Sequence, residues 1–319
     1  MPAAADSLDV LVLRGGPDRE RDVSLHSGNA VAAALERAGH RVTTGDLTPD
    51  DPSVLDRFVE HLRKWKRPGV VFPALHGKWG EGGGAQRLLE DRGVAYVGCR
   101  PVSADRCMDK WQTKRVLDDF GVPTPPYQLY DDHADAPTLD PPVVVKPNDD
   151  GSSIDLAICP DRETFDARFH DIAMRNEQVL IERFIEGKEL TVGWVEGLGD
   201  PSSGGILPPI WIQPATAFYD YEAKYTRDDT AYVFDLREPS EVVARLLEVA
   251  RQSVKALGVR HLCRVDVMLD AEGTPWVLEV NTMPGFTDHS LLPKAAAHAG
   301  TDMASLCDHL VRAALHDAR

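Results

Sequence analysis

The residue types best suited to chemistry stand in the second half of the chain, where Arg264-Val-Asp266 is followed, after a short turn, by Glu279-Val-Asn281. Residues two apart on a strand share a face, so Arg264 projects with Asp266 and Glu279 with Asn281. If the two strands are neighbours, three oxygen-bearing side chains converge. Asp, Glu and Asn oxygens are the hard donors that Mg²⁺ prefers, with substrate phosphates and water completing its shell. The plain alternative is a set of acids on an exposed strand face. Both strands are otherwise apolar, however, and an unpaired acid cluster there would be costly.

Two lysines add to this pattern. Lys146 ends an apolar strand and is followed by Pro147-Asn-Asp-Asp-Gly-Ser-Ser153, a loop able to fold over phosphates and offer N–H and O–H donors. Lys110 opens a helix after Met108-Asp109, where its ammonium could supply a second phosphate contact. Either lysine alone is an ordinary solvated side chain; their value lies in company. The phosphate-binding pattern GxxxxGK[ST] is absent, and Gly15-Gly16 do not make GxGxxG. His76 and Glu81, beside a glycine-rich stretch over 80–84, read equally well as substrate-orienting or as buried structural groups.

The elements that must position these residues follow from hydrophobic periodicity. Over the first hundred residues strand-like runs at 8–13, 41–46, 69–75 and 95–97 alternate with helix-like runs at 25–37, 54–65 and 86–92, with Ser24 as a cap for the first helix. That order implies a parallel sheet covered by helices on both faces. A helix over 109–120 then leads into a proline-rich break, and short strands at 142–146, 156–159 and 179–182 surround a helix over 163–174. The remainder carries strands at 189–195, 206–212, 263–269 and 276–281, and helices at 240–257, 291–298 and 303–316. An irregular stretch over 213–230 is long enough to act as a lid. The expected units are 1–100, 101–185 and 186–319.

Composition narrows the function classes. The chain has 319 residues, 43% hydrophobic and 27% charged, enough for two or three compact units, and no apolar run approaches the roughly 20 residues of a membrane span. Residues 1–9 carry no basic stretch ahead of an apolar one, so neither an export signal nor a membrane partner is expected, and the expected location is cytoplasmic. Five scattered cysteines without a CxxC pair suggest neither zinc nor a redox dithiol. A formal charge of −16 argues against nucleic acid as a partner.

An ordered set of segments then becomes recognisable: Gly15-Gly-Pro-Asp-Arg-Glu20, His76-Gly-Lys-Trp-Gly-Glu81, Met108-Asp-Lys110, Val145-Lys-Pro147 with Gly151-Ser-Ser153, and Val179-Leu-Ile-Glu182. Phe218-Tyr-Asp-Tyr-Glu-Ala-Lys224-Tyr225, Arg264-Val-Asp266 and Glu279-Val-Asn-Thr-Met-Pro-Gly285, running on to Ser290-Leu291, complete it. Over nearly its whole length the chain resembles the D-alanine–D-alanine ligases of the ATP-grasp superfamily. The resemblance implies an α/β and α+β architecture, an N-terminal Rossmann-like parallel-sheet domain and two α+β domains clasping ATP. It implies an ADP-forming ligase that joins two D-alanine molecules through an acyl phosphate for peptidoglycan precursor synthesis, with two Mg²⁺ ions (Mn²⁺ able to substitute), as a cytoplasmic homodimer.

By the same resemblance Lys110, Lys146, Ser153 and Lys224 meet phosphates, and Glu182, Glu189 and Phe218 meet the nucleoside. Asp266, Glu279 and Asn281 hold the metal. Glu20 meets the first substrate's ammonium with Ser152 and Tyr225 as hydrogen-bonding partners. Arg264 and the Gly285 backbone stabilise the oxyanion, and Ser290 lines the second subsite. Two positions depart from the family pattern: Gly82 stands where Asp is common, and Asp155 stands where Gly is common. Asp155, with Asp149 and Asp150, places negative charge in the phosphate loop. Rival readings are a sister ligase that takes D-serine or D-lactate second, which Tyr225 disfavours, and a nucleotide-binding homologue without ligase activity.

Overall fold

The structure, a computed structural model, describes residues 7–131, 137–151, 155–199, 201–214, 229–287 and 289–318. Its first sheet is parallel, in the order β2 (Arg41–Asp46), β1 (Asp9–Arg14), β3 (Gly69–Pro73), β4 (Ala95–Tyr96). Alternation along β1 sends Val10 and Val12 to one face and Leu11 and Leu13 to the other. The first face packs on α1 (Arg21–Arg37) and on α10 (Met303–Asp317) at the far end of the chain. The second packs on α2 (Ser53–Trp65) and α4 (Gly84–Asp91). A strand covered on both faces needs apolar side chains on both, and Val10–Leu13 of β1 and Val70–Pro73 of β3 supply them.

The second sheet is antiparallel, β5 (Tyr127–Asp131), β8 (Gln178–Arg183), β6 (Val143–Pro147), β7 (Ala157–Cys159). Val143 and Val145 face α7 (Arg162–Ala173), which leaves Val144 and Lys146 for the opposite face. The third sheet runs β11 (Ala231–Val233), β10 (Ile210–Gln213), β9 (Lys188–Val195), β12 (Leu262–Leu269), β13 (Pro275–Asn281). Cys263, Val265 and Val267 pack under α8 (Ser240–Leu257), so Arg264, Asp266 and Met268 project the other way.

Several elements differ from expectation. Helix α1 begins at Arg21 with Glu20 at its N-cap, so Ser24 is not the cap. The Ser24 hydroxyl is committed elsewhere: it accepts from the Gly15 N–H at 2.9 Å and donates to the Ala74 carbonyl at 2.5 Å, tying two strand ends together. The run expected at 206–212 splits into a bridge at Ile206 and the strand β10, because Pro208 and Pro209 have no N–H to give. Helices α3 (Gly77–Glu81) and α5 (Pro101–Met108) and strands β5 and β11 carry too little periodic signal to be read from sequence. Helix α6 (Lys110–Asp119) follows α5, and α9 (Leu291–His298) precedes α10.

Helix α10 is tied to the first sheet by two buried histidines. His40 accepts the Leu8 N–H on Nδ1 and faces Asp308 from Nε2 at 2.8 Å; His261 accepts the Gly98 N–H and faces Asp317 at 3.2 Å. Glu196, His261 and Asp317 bring donor atoms within 4.8 Å of one another. The Gly98 N–H fixes the imidazole proton on Nε2, which makes this a hydrogen-bonded staple rather than a ligand set. All five cysteines are free and buried. Among the described residues no helix is long and apolar enough to cross a membrane.

Candidate active site

The second and third sheets enclose a cleft. Val144, Leu156, Ile158, Phe184, Met268 and Leu278 give it an apolar lining, while Lys110, Lys146, Glu182, Glu189, Asp266 and Glu279 supply charge. An apolar slot that ends among cations and carboxylates suits a flat base joined to a polyphosphate. The carboxylate arrangement follows from register. Strands β12 and β13 pair antiparallel with Asp266 opposite Glu279 and Arg264 opposite Asn281. A bulge after Asp266 adds a residue to β13, so Leu278 and Glu279 both face the cleft.

Asp266 is 8% exposed and takes a two-pronged bond from Arg264, Nε to Oδ1 and a terminal nitrogen to Oδ2, each 2.8 Å. Thr191, opposite Asp266 on β9, adds a hydroxyl at 2.6 Å. Glu279 lies 3.9 Å from the Lys110 ammonium. The Asn281 side-chain oxygen accepts from the Met283 N–H at 3.0 Å. Hard oxygen donors on adjacent strands, with two cations close by, fit a divalent ion that arrives bound to phosphate.

Glu182 is the most constrained carboxylate in the cleft. Burial alone would raise its pKa, but the Lys114 and Lys146 ammonium groups outweigh that and hold it at about 2. Lys146 bonds one oxygen and Lys114 stands 2.7 Å from the other. Lys110 is pulled below the usual lysine range by burial, against the attraction of Glu279. Lys114 was not among the residues the sequence singles out. Its only signal is its position four after Lys110, on the same helix face.

A second layer of groups comes from the first sheet. Asp18 accepts from the Trp79 and Gly80 N–H groups and so anchors the short helix α3, which ends at Glu81. Burial, then the Glu20 charge, push Glu81 well above the usual carboxylate range. Glu20 itself is buried and close to the phosphate loop: a Cβ placed on Gly151 would stand 3.1 Å from its carboxylate. His76 bonds the Met283 backbone and, from Nε2, the Ser27 hydroxyl at 3.2 Å; that hydroxyl also accepts the Phe286 N–H at 3.2 Å. His76 and Ser27 thereby fix the loop that carries Gly285. A Cβ on Gly285 would come within 2.7 Å of the Ser290 hydroxyl, so a side chain there displaces Ser290.

Of the residues singled out from sequence, Lys110, Lys146, Glu182, Glu189, Asp266 and Glu279 share the cleft. Arg264 and Asn281 stand opposite each other on β12 and β13, the strands that carry Asp266 and Glu279; Glu20 lies against Gly151, which lines the cleft, and Gly285 lies against Ser290. Ser152, Ser153, Phe218, Lys224 and Tyr225 lie outside the described residues, as does most of the 213–230 stretch.

Both departures from the family pattern have a physical account. A Cβ at Gly82 would lie 2.3 Å from the Lys78 carbonyl and 3.0 Å from Met108, so this backbone leaves no room for Asp. Asp155 adopts φ 56 and turns its carboxylate to Arg175 at 3.1 Å. Asp149 pairs with Lys78, and Asp150 lies 3.7 Å from Arg19. The loop's acids are thus neutralised within the protein. Asp155→Gly exchanges a left-handed Asp for a residue at ease there and loses a half-exposed ion pair, effects of about 1 kcal/mol each and opposite in sign. We expect the KM for ATP in this variant to stay within about twofold of the parent, measured by steady-state phosphate release.

His76 makes a second testable statement. Burial, with the Arg264 charge adding to it, depresses the imidazole pKa to about 4. An unfolded chain binds that proton near pH 6.5, so the folded state loses stability as pH falls from about 6.5 to about 4, by up to about 3 kcal/mol. His76→Gln should be less stable than the parent at pH 7, with the gap closing by pH 4.5. Urea unfolding midpoints at the two pH values check this.

Fold and cleft together define an ATP-grasp protein. The model of the D-ala D-ala ligase C-terminus matches residues 116–312. D-alanine–D-alanine ligases of Ectopseudomonas mendocina and Halorhodospira halophila are each 41% identical, over 93% of this chain and 91% of the first, and over 96% of both chains for the second. A crystal structure of D-alanine–D-alanine ligase from Bacillus anthracis complexed with ATP superposes with a TM-score of 0.81 at 29% identity, covering 98% of this chain and 99% of that one. The chain belongs to the D-alanine–D-alanine ligase family.

Proposed function

We propose that this chain is an ADP-forming ligase that joins two D-alanine molecules into D-alanyl-D-alanine for peptidoglycan precursor synthesis. One observation carries the reading: Lys110, Lys146, Asp266 and Glu279 meet at the end of an apolar cleft, in a family whose relatives are named for this reaction. A carboxylate oxygen of the first D-alanine attacks the γ-phosphorus of ATP and ADP leaves. The amine of the second D-alanine then attacks the acyl carbon; the C–O bond to phosphate breaks and the amine loses a proton.

Each group has a physical task. Lys110 and Lys146, with Lys224, neutralise the polyphosphate, Ser153 adds a hydroxyl, and Glu182, Glu189 and Phe218 hold the nucleoside. Asp266, Glu279 and Asn281 would hold Mg²⁺, two ions, or Mn²⁺ in its place, and the metal would supply charge neutralisation at the transferring phosphoryl group. Glu20 meets the first substrate's ammonium with Ser152 and Tyr225 alongside. Arg264 and the Gly285 N–H face the tetrahedral oxyanion, and Ser290 lines the second subsite. The acyl phosphate must be shielded from water, a task for the 213–230 stretch. The reading carries with it three functional units, 1–100, 101–185 and 186–319, in a cytoplasmic homodimer.

The test is incubation of the purified protein with ATP, Mg²⁺ and D-alanine, following inorganic phosphate and identifying the product by mass, with L-alanine, D-serine and D-lactate in parallel. D-alanine-dependent phosphate and the dipeptide mass are expected. Release only with D-serine or D-lactate present would replace the second substrate, and silence with every amino acid despite ATP binding would overturn the reading.

A further inference from the structure

Lys114 does not line the cleft, yet it is bound to what does. It sits one turn after Lys110 on α6, with its side chain 0% exposed. Its ammonium lies 2.7 Å from Glu182 and donates at 2.7 Å to the Thr124 hydroxyl, which donates in turn to the Val277 carbonyl at 2.8 Å. The Tyr127 ring covers it with its centroid at 5.6 Å. The other Glu182 oxygen holds Lys146. Hydrogen bonds and ion pairs therefore link β13, the strand of Glu279, through Thr124, Lys114 and Glu182 to Lys146 in the cleft wall, the Lys114–Glu182 step being an ion pair.

A buried ion pair is a poor device for stability alone, since apolar residues of similar volume do as well or better. What the arrangement secures is direction. Two ammonium groups on opposite oxygens hold the Glu182 carboxylate ionised and fix its plane. With only one cation left, the carboxylate would draw Lys146 wholly to itself, away from a phosphate. We propose that Lys114 is a positioning residue for the nucleotide: acting through Glu182, it sets the orientation of that carboxylate and of Lys146, and so governs ATP affinity rather than the chemical step. The inference rests on the cleft being the ATP site.

The experiment is a double-mutant cycle of Lys114→Met and Glu182→Gln, reading the ATP dissociation constant by equilibrium titration without D-alanine, and kcat separately at saturating ATP. Lys114→Met should weaken ATP binding about tenfold, equivalent to about 1.4 kcal/mol, with kcat within about threefold of the parent. In the Glu182→Gln background the same substitution should change ATP affinity less than about twofold, because its route is already cut. Additive effects, or a loss confined to kcat, would overturn the proposal. Should Lys114→Met fail to fold, Thr124→Val keeps every charge and removes one anchor of the ammonium; ATP binding weakened about threefold is expected, and unchanged binding overturns the proposal. A parent protein that does not bind ATP sinks the reading of the cleft instead, and one that binds ATP as tightly with Lys114→Met sinks this inference alone.

Discussion

Glu279→Gln is expected to lower kcat for D-alanine-dependent phosphate release by about a thousandfold or more while the protein stays folded. The substitution keeps the side chain's length and removes its charge. Three features of the site make that charge matter. The bulge after Asp266 turns Glu279 into the cleft, register sets it opposite Asp266, and the Lys110 ammonium stands 3.9 Å away. In the proposed function a carboxylate there is a hard donor to a divalent ion, and it is the counter-charge beside buried Lys110. An amide does neither well, and half of its polar surface is an N–H₂ that repels a metal. Glu279 itself is 29% exposed, but Lys110, at 8%, loses its counter-charge and keeps its bond to the Asp150 carbonyl, so the melting temperature should fall by several degrees while the protein stays folded at 25 °C. Mg²⁺ titration of the rate gives the deciding measurement. The variant should need more Mg²⁺ for half-maximal rate, and retention of more than about a tenth of the parent kcat at ordinary Mg²⁺ would remove Glu279 from the ligand set.

The reason this pair of strands is legible in sequence is that strand geometry has a period of two and few alternatives. Once 263–269 and 276–281 are strands joined by a short turn, they pair antiparallel, and Asp266 must fall near Glu279. The first sheet is legible for a similar reason, since runs such as Val10-Leu-Val-Leu13 are apolar on both faces and need cover on both. What escapes is whatever depends on partners distant in the chain. The bulge that brings Leu278 to the cleft wall leaves no mark in composition. Ser24 has every attribute of a helix cap, but Gly15 and Ala74 claim its hydroxyl. Lys114 reads as one more surface lysine on a helix, and only the fold brings Glu182 and Thr124 to it. The acids of the phosphate loop look adverse until Lys78, Arg19 and Arg175 are found beside them. Charge in sequence is a count; charge in a site is a sum over neighbours.

Arg264→Lys should cost about a hundredfold to a thousandfold in kcat, with the loss persisting at saturating Mg²⁺. Lysine keeps the positive charge but offers a point donor where Arg264 presents a planar fork to both oxygens of Asp266. Two tasks would be lost together. One is the orientation of Asp266, which Thr191 alone would then hold through a single hydroxyl. The other is the proposed role of donor to the oxyanion, for which about 3 kcal/mol is a typical contribution. Alanine is the poorer probe, because it would leave Asp266, at 8% exposure, without its cation, at a cost of several kcal/mol to folding. The two tasks separate by titration. If Arg264 served only to aim a metal ligand, excess Mg²⁺ would refill the site and return the rate to near the parent value. If it also faces the oxyanion, excess metal restores ATP-dependent phosphoryl transfer to the first D-alanine, visible as positional isotope exchange in ATP, while dipeptide formation stays slow. We expect the second outcome; full recovery of dipeptide formation with Mg²⁺ would reduce Arg264 to a support for Asp266.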